Sequence, residues 1–335
     1  MTVIFGLIYC NIAAVYTNSS SMLADIISSS LAAAVLSVPP VLLANKTDNS
    51  VYNTAADRSK VLGTAFSAIY LIYYLSASVY LIRVFAEFVS SRYLHGTSPL
   101  VCAVLSGIVC TYISWTGTEA VCRMSTVIAF LFALTSILFL FFAADDIVTT
   151  GLSASEIGLD NISKNGIFPY ISAAIICLCS ACKGSGKMTK KGVYFGISAL
   201  LIISSAIVIL ISLVLGDYLY LSDYPSVDAV IYASRELSFR PDGLYFSFGT
   251  VILLAAAGFI CSCCGGTLKC IIPNVKSEGL YTGAAVTIIA SVEILFNINV
   301  CEYIFKQQLL IIALISVFPL IALLMSSSGK GKGKT

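Results

Sequence analysis

Apolar residues gather in ten runs along this chain, near 3–17, 23–44, 61–82, 99–115, 124–143, 167–182, 192–215, 244–264, 279–298 and 308–325. The loops between them alternate in charge. Lys46, Arg58 and Lys60 follow the second run, and Arg123 follows the fourth. Lys183, Lys187, Lys190 and Lys191 follow the sixth, Lys269 and Lys276 the eighth, and Lys330, Lys332 and Lys334 the tenth. The other loops hold Asp145, Asp146, Glu156 and Asp160, then Asp217, Asp223, Asp228, Glu236 and Asp242. A helix of about 20 apolar residues crosses the hydrocarbon core, and Lys and Arg collect in cytoplasmic loops. The pattern predicts an all-α, polytopic membrane protein of about ten transmembrane helices, with both termini in the cytoplasm.

Composition agrees. Only 11% of the 335 residues are charged, against about a quarter in soluble domains, and the mean hydropathy is +0.95. A net charge of +2, spread over short loops, gives no surface for nucleic acid. No segment outside the runs is long enough for a soluble domain, so 1–335 reads as one transmembrane domain. Its basic tail, 326–335, is placed to touch anionic lipid headgroups. No Lys or Arg precedes Lys46, so the charged start of a signal peptide is missing and 3–17 is expected to be a retained span. Of twelve cysteines, only Cys301 falls near the outer face. The rest sit in apolar runs or at their cytoplasmic ends, where thiols stay reduced and pack as small hydrophobes. No structural disulfide is expected.

Ten spans divide into five plus five, with repeat one at about 1–143 and repeat two at about 167–325. Segments one and six then correspond, and both are short. The first is interrupted by Asn11; the sixth follows Asn165-Gly166-Ile167-Phe168-Pro169 and ends at Cys182. A short or broken helix at matching positions of two inverted repeats marks a mid-membrane binding site. The other eight segments read as ordinary spans. Trp115, Tyr218, Tyr220 and Tyr224 fall at run ends, where amphipathic rings favour the interface. Pro225 starts a short surface helix with Val227, Ile231 and 233–237 as its apolar face.

The inventory is poor in enzyme chemistry. His95 is the lone histidine, and no group of residues has metal-ligand spacing. Cys261, Cys263 and Cys264 lie too close together on one helix to wrap a zinc ion. Gly184-Ser185-Gly186-Lys187 lacks the spacing of a phosphate loop. Neither enzyme activity, nor a metal, nor a cofactor is expected.

Charges within spans carry more weight, because survivors there face a partner or a water-filled path. Arg83 and Glu87, four apart, read as a snorkelling ion pair; Glu119 and Arg123 repeat that spacing beside Gly117. Asp25 reads as interfacial. Glu293, followed by Asn297 and Asn299, is the candidate ion-coupling residue, with interface exposure as its alternative. Tyr70, Tyr74 and Ser78 share one helical face, and Ser172, Ser247, Thr250 and Asn11 complete a candidate ligand-binding set. Small hydroxylated residues also serve simply in close helix packing.

These residues bear a family resemblance. Segment three reads Tyr80-Leu-Ile-Arg-Val-Phe-Ala-Glu-Phe-Val, followed by Thr97-Ser98-Pro99, then Gly117-Thr118-Glu119-Ala120 and Arg123. Tyr224-Pro225, Ala233, Arg235 and Phe239-Arg240-Pro241-Asp242-Gly243-Leu244 follow. Over about residues 20–265 the chain resembles the spore germination permease family, the B-subunits of nutrient germinant receptors. The resemblance implies Arg83, Glu87, Pro99, Glu119, Arg123, Arg240 and Asp242 as its structural motif. It also implies the fold of the amino acid–polyamine–organocation transporter superfamily. The implied role is binding of a small germinant, usually an amino acid, in a spore's inner membrane. The implied partners are an A-subunit membrane protein and a C-subunit lipoprotein. The chain departs from the family pattern in two places. Its first helix begins late, and Ile176-Cys177-Leu178-Cys179-Ser180 stands where the family carries Pro-Phe-Gly-Glu. The alternative reading is an autonomous proton-coupled amino acid transporter.

Overall fold

The computed structural model describes residues 19–131 except 48, 122, 125 and 129, then 167–181, 190–233 except 217 and 219–223, and 242–328 except 276. The first apolar run, with Asn11, lies outside these residues. So do most of the fifth run, the basic loop 182–189, Arg240 and the tail after 328. The description gives α1 (Ser19–Leu36), α2 (Val38–Lys46), α3 (Val51–Ala56), α4 (Lys60–Arg92), α5 (Pro99–Thr116), α6 (Phe168–Ala181) and α7 (Lys190–Leu215). There follow α8 (Pro225–Ala233), α9 (Asp242–Ile271), α10 (Glu278–Phe296), α11 (Val300–Lys306), α12 (Gln308–Ile312), a π-turn (Ala313–Val317) and α13 (Phe318–Ser328).

Six described helices are long and apolar enough to cross a membrane, and α1 and α2, bent by 41° at their junction, pass the same test only when taken together. They match runs two, three, four, seven, eight, nine and ten. The chain is an all-α polytopic membrane protein. The expected pairing of segment one with segment six cannot be drawn, because segment one lies outside the described residues. Within segment six, Phe168–Ala181 is one uninterrupted, short helix.

Among the described spans a break falls in segment two, which the hydropathy pattern reads as ordinary. Pro39 and Pro40 follow Ser37, at the first turn of α2. Their rings lack an N–H and clash with the carbonyls four residues back, so the helix cannot pass straight through. Ser37 bridges the kink: its N–H donates to Ala33 O at 3.0 Å and its hydroxyl to Ala34 O at 2.8 Å.

Polarity decides which helices sit inside, since lipid is as apolar as leucine and gives no reason to bury an apolar face. α4 carries Ser67, Tyr70, Tyr73, Tyr74, Ser76, Ser78, Tyr80 and Arg83, all buried. It packs most extensively on α9. The most apolar stretches of α4 and α9 are 67% and 78% buried, against 28% for α10, which puts α4 and α9 at the centre.

α5 and α10 lie against this pair and against each other, through small residues. A Cβ on Gly279 would fall 2.7 Å from Ser114 O; on Gly283, 2.5 Å from Thr111 Oγ1; and on Gly107, 2.4 Å from Thr287 Oγ1. Gly279 and Gly283 form a G-x-x-x-G pair that lets the backbones touch. The hydropathy reading passed over it.

Candidate functional site

Tyr70, Tyr74 and Ser78 do share one face of α4, and each hydroxyl donates to a main-chain carbonyl of a different element. Tyr70 Oη meets Leu314 O at 2.7 Å, within the π-turn of the last span. Tyr74 Oη meets Ile176 O at 3.2 Å, in α6. Ser78 Oγ meets Ala257 O at 3.3 Å, in α9. A π-turn disturbs the regular i→i−4 ladder, and such turns cluster at functional sites. One helix face therefore ties together three others through their backbones.

Further along the α4–α6 contact, Tyr80 Oη and Tyr170 Oη are 2.8 Å apart. Ser172, on α6, is fully buried, as is Tyr73 on α4. Neither the Ser172 hydroxyl nor the Tyr73 hydroxyl has a hydrogen-bond partner among the described residues. A buried hydroxyl without a partner is costly in a protein interior, so these two mark where a polar group would be welcome.

Two members of the predicted set do not join this face. Ser247 donates to Gly243 O at 2.7 Å and Thr250 to Ser247 O at 2.8 Å, both bonds within α9 and both exposed. Their hydroxyls are satisfied by their own helix, a geometry that sequence spacing cannot distinguish from a lining role. The side of α9 that reaches α4 is marked instead by the Ala257 carbonyl. Asn11 lies outside the described residues.

The segment between spans nine and ten, which reads as a simple outer loop, folds back into the bundle. α11 drives Phe305, fully buried, among Tyr80 at 5.0 Å, Tyr170 at 5.3 Å and Tyr73 at 6.2 Å between ring centroids. Three charged side chains hold this element: Arg83 and Glu293 are buried and Lys306 is partly exposed. Arg83 is not a snorkelling residue: its side chain is 10% exposed, and Nε donates to Glu87 Oε1 at 2.7 Å. Its Nη1 also donates to Ile298 O at 2.5 Å and to Asn299 Oδ1. Asn297, left-handed with φ 51°, ends α10, and the Ile298 N–H returns to Glu293 O at 3.0 Å, a helix-terminating arrangement that suits asparagine.

Glu293 is buried, and its Oε1 accepts the Cys301 N–H at 2.8 Å, satisfying one of the free donors at the start of α11. Its Oε2 has no partner among the described residues. Cys301, expected near the outer face, is also buried and meets the Ser76 hydroxyl. Burial, with the Glu293 carboxylate beside it, pushes that thiol up to about 12. At the end of α11, Lys306 pairs with Glu302 at 2.7 Å and lies 5.5 Å from the Tyr80 ring centroid. Burial favours the neutral amine, but Tyr80 and Glu302 outweigh it and hold Lys306 above its ordinary range.

Asp25 is a residue whose role the hydropathy reading missed. Expected at the interface, it is fully buried in α1 and accepts the Ile167 N–H at 2.8 Å and the Ser29 hydroxyl at 3.1 Å. Ile167 immediately precedes α6, so the carboxylate caps that helix from another element. A lone Asp within an apolar run was the available signal.

The remaining described motif residues stand at helix starts and turns. Pro99 opens α5, and Ser98 caps it by accepting the Leu100 N–H at 3.3 Å. Glu119 and Arg123 pair at 2.5 Å on the exposed surface, just beyond Gly117, whose φ of 90° suits glycine. Asp242 is the first residue of α9. α8 does start at Pro225, but it is no surface-floating helix. Val227, Ala229 and Val230 are buried while Ile231 is exposed, and Arg92 of α4 pins it through Asp228 at 3.1 Å.

The comparison with known families matches these elements. Residues 2–230 fit the spore permease family, described as spore germination protein. The match takes in the Arg83–Glu87, Ser98–Pro99 and Glu119–Arg123 motifs and stops before Phe239–Leu244. No curated protein matches the chain. With more than half its length matched, the chain belongs to the spore germination permease family.

Proposed function

We propose that this chain is the permease-like subunit of a spore germinant receptor, which binds a small nutrient germinant, an amino acid, and signals germination. The observation that carries the reading is the α4 face, where Tyr70, Tyr74 and Ser78 each tie α4 to a carbonyl of another helix. Each tie pairs a hydroxyl donor with a carbonyl acceptor. A zwitterion carries both complements, a carboxylate for the hydroxyl and an ammonium for the carbonyl. Its charge-assisted bonds are about twice as strong as the neutral bond they displace. Entry of such a ligand between α4 and α6 would exchange those ties and finds two further hydroxyls, on Tyr73 and Ser172, without partners among the described residues. Because the ties reach three helices, exchanging them shifts those helices relative to α4, and that shift is the signal passed to partner subunits. The partners in this reading are an A-subunit membrane protein and a C-subunit lipoprotein. The setting is the spore inner membrane, with both termini in the cytoplasm as the loop charges predict.

The test is the germination response of spores carrying Tyr74→Phe. The half-maximal L-alanine concentration, or that of whichever amino acid the wild-type spores answer, shifts while the chain stays in the membrane. An unchanged response in both Tyr74→Phe and Tyr70→Phe removes this face from the site.

A second reading has its own observation. The Oε2 of Glu293, buried and without a partner among the described residues, suits a proton-binding group, as an autonomous proton-coupled amino acid transporter needs. Uptake into proteoliposomes of the purified chain, driven by a pH gradient and lost in Glu293→Gln, favours that reading over the receptor.

A further inference from the structure

The basic-loop end of the bundle holds a cavity of about 600 Å³, within the range of roughly 300–1,000 Å³ of small-molecule sites. Its walls include Tyr52, Asn53, Cys263, Lys269, Cys270 and Glu278. Lys269 Nζ and Glu278 Oε1 are 3.2 Å apart, and their side chains are 54% and 28% exposed. An ammonium group has three donors and this bond uses one, so both charges remain available to a ligand bearing the opposite pair.

Tyr52, on the short helix α3, is 4% exposed and stands 6.2 Å from Tyr70, the first residue of the hydroxyl face. It fits against Gly266, where a Cβ would come within 3.2 Å of the Tyr52 hydroxyl. Cys263 lines the cavity from the other side, and its thiol lies 3.9 Å from Cys177 O, next to the Ile176 carbonyl that Tyr74 holds. Tyr52 and Cys263 thus both line the cavity and reach the elements of the hydroxyl face, Tyr70 and the Cys177 carbonyl.

We propose that this cavity is a vestibule for a small zwitterionic solute, bound by the Lys269–Glu278 pair, and that Tyr52 is the gate closing it from the α4 hydroxyl face. The inference rests on the permease-like reading, since it supplies that site with a second route of access.

The test uses the full-length chain in liposomes, N-ethylmaleimide, and mass mapping of each labelled cysteine. Cys263, Cys270 and Cys110 are free thiols. Cys110 lies on α5 at 1% exposure, away from the cavity wall, and reports general loosening. In the wild type, Cys270 labels readily, Cys263 slowly and Cys110 not at all. L-alanine at millimolar concentration slows Cys270 labelling, and Lys269→Gln removes that protection. Tyr52→Ala raises Cys263 labelling about ten-fold or more, a modest part of what truncating a buried ring costs. Cys110 stays unlabelled, and Tyr52→Phe stays closed. An unchanged Cys263 rate in Tyr52→Ala, or an equal rise at Cys110, overturns the gate; absence of protection by L-alanine overturns the solute site. None of these readouts needs germination. Labelling results that hold while Tyr74→Phe and Tyr70→Phe both leave germination unaltered would retire the central site and keep the vestibule.

Discussion

The Asp25 carboxylate lies 2.8 Å from the Ile167 backbone nitrogen, joining α1 to the start of α6 across 142 positions of sequence. The bond places an intramembrane acid where a helix offers its unsatisfied donors and partial positive charge. The cost of burying the carboxylate is met by the cap, and the start of α6 is fixed relative to α1. The hydroxyl ties at Tyr74 and Tyr80 then act on a helix that is already held at one end.

Removing this cap tests its weight. Asp25→Ala leaves the buried Ile167 N–H without its acceptor and is expected to cost about 1–3 kcal/mol. Thermal unfolding in detergent should show it, with Asp25→Asn losing less because the amide oxygen still accepts. Equal stability of wild type and Asp25→Ala would mean the bond contributes nothing to holding α6.

Arg83 predicts a local effect. Arg83→Gln forfeits the bonds to Glu87, Ile298 and Asn299, leaving Glu87 unpaired and the turn after α10 untied. Glu87 is about half exposed, so the loss falls on the hydrogen bonds of the buried guanidinium, about 1.5–3 kcal/mol for bonds to a charged group. Limited proteolysis should show new cleavage between residues 297 and 307. A digestion pattern identical to wild type would show that α11 is held by its own packing alone.

Phe305 separates packing from binding. Phe305→Ala empties a buried site among Tyr73, Tyr80 and Tyr170 and should cost about 3–5 kcal/mol in stability. Phe305→Leu keeps most of the volume and should recover most of that, as shown by the melting temperature.

The α5–α10 contact tolerates no side chain. Gly279→Val forces a group against the Ser114 carbonyl, which is backbone and cannot swing aside. Overpacking of this kind costs about 1–3 kcal/mol or more. Folded yield after membrane extraction should fall, while the same change at Gly243, where nothing lies within 4 Å of a Cβ, leaves the yield near wild type.

Tyr52 gives a pH dependence. Burial raises its phenol well above the ordinary value, with the Ser50 hydrogen bond pulling the other way. The folded pKa exceeds the unfolded one, about 10, so this stabilisation is complete below that pH and fades as the pH rises through the folded value. Tyr52→Phe should therefore lose less stability than wild type between about pH 9 and 11, measured as the shift in melting temperature. Identical alkaline profiles would place the phenol in contact with solvent.

The residues show where sequence reading reached and where it stopped. The ten apolar runs set class and approximate spans, because the bilayer imposes length and hydrophobicity on each helix separately. The i, i+4, i+8 spacing put Tyr70, Tyr74 and Ser78 on one face, because helical geometry is local. Pro39-Pro40 and Gly279-x-x-x-Gly283 were equally local signals, outweighed by hydropathy that treats proline and glycine within a run as merely apolar or small. Ser247 and Thr250 look the same as Ser78 in sequence, yet their hydroxyls bond within α9. Whether a hydroxyl returns to its own helix or reaches another depends on which face is turned inward. Only the tertiary structure decided that, along with Asp25 capping α6, Arg83 binding the α10–α11 turn and Phe305 entering the tyrosine cluster. Each of those contacts joins residues far apart in the chain, and in a lipid solvent it is polar pairing, not apolar periodicity, that determines which helix meets which.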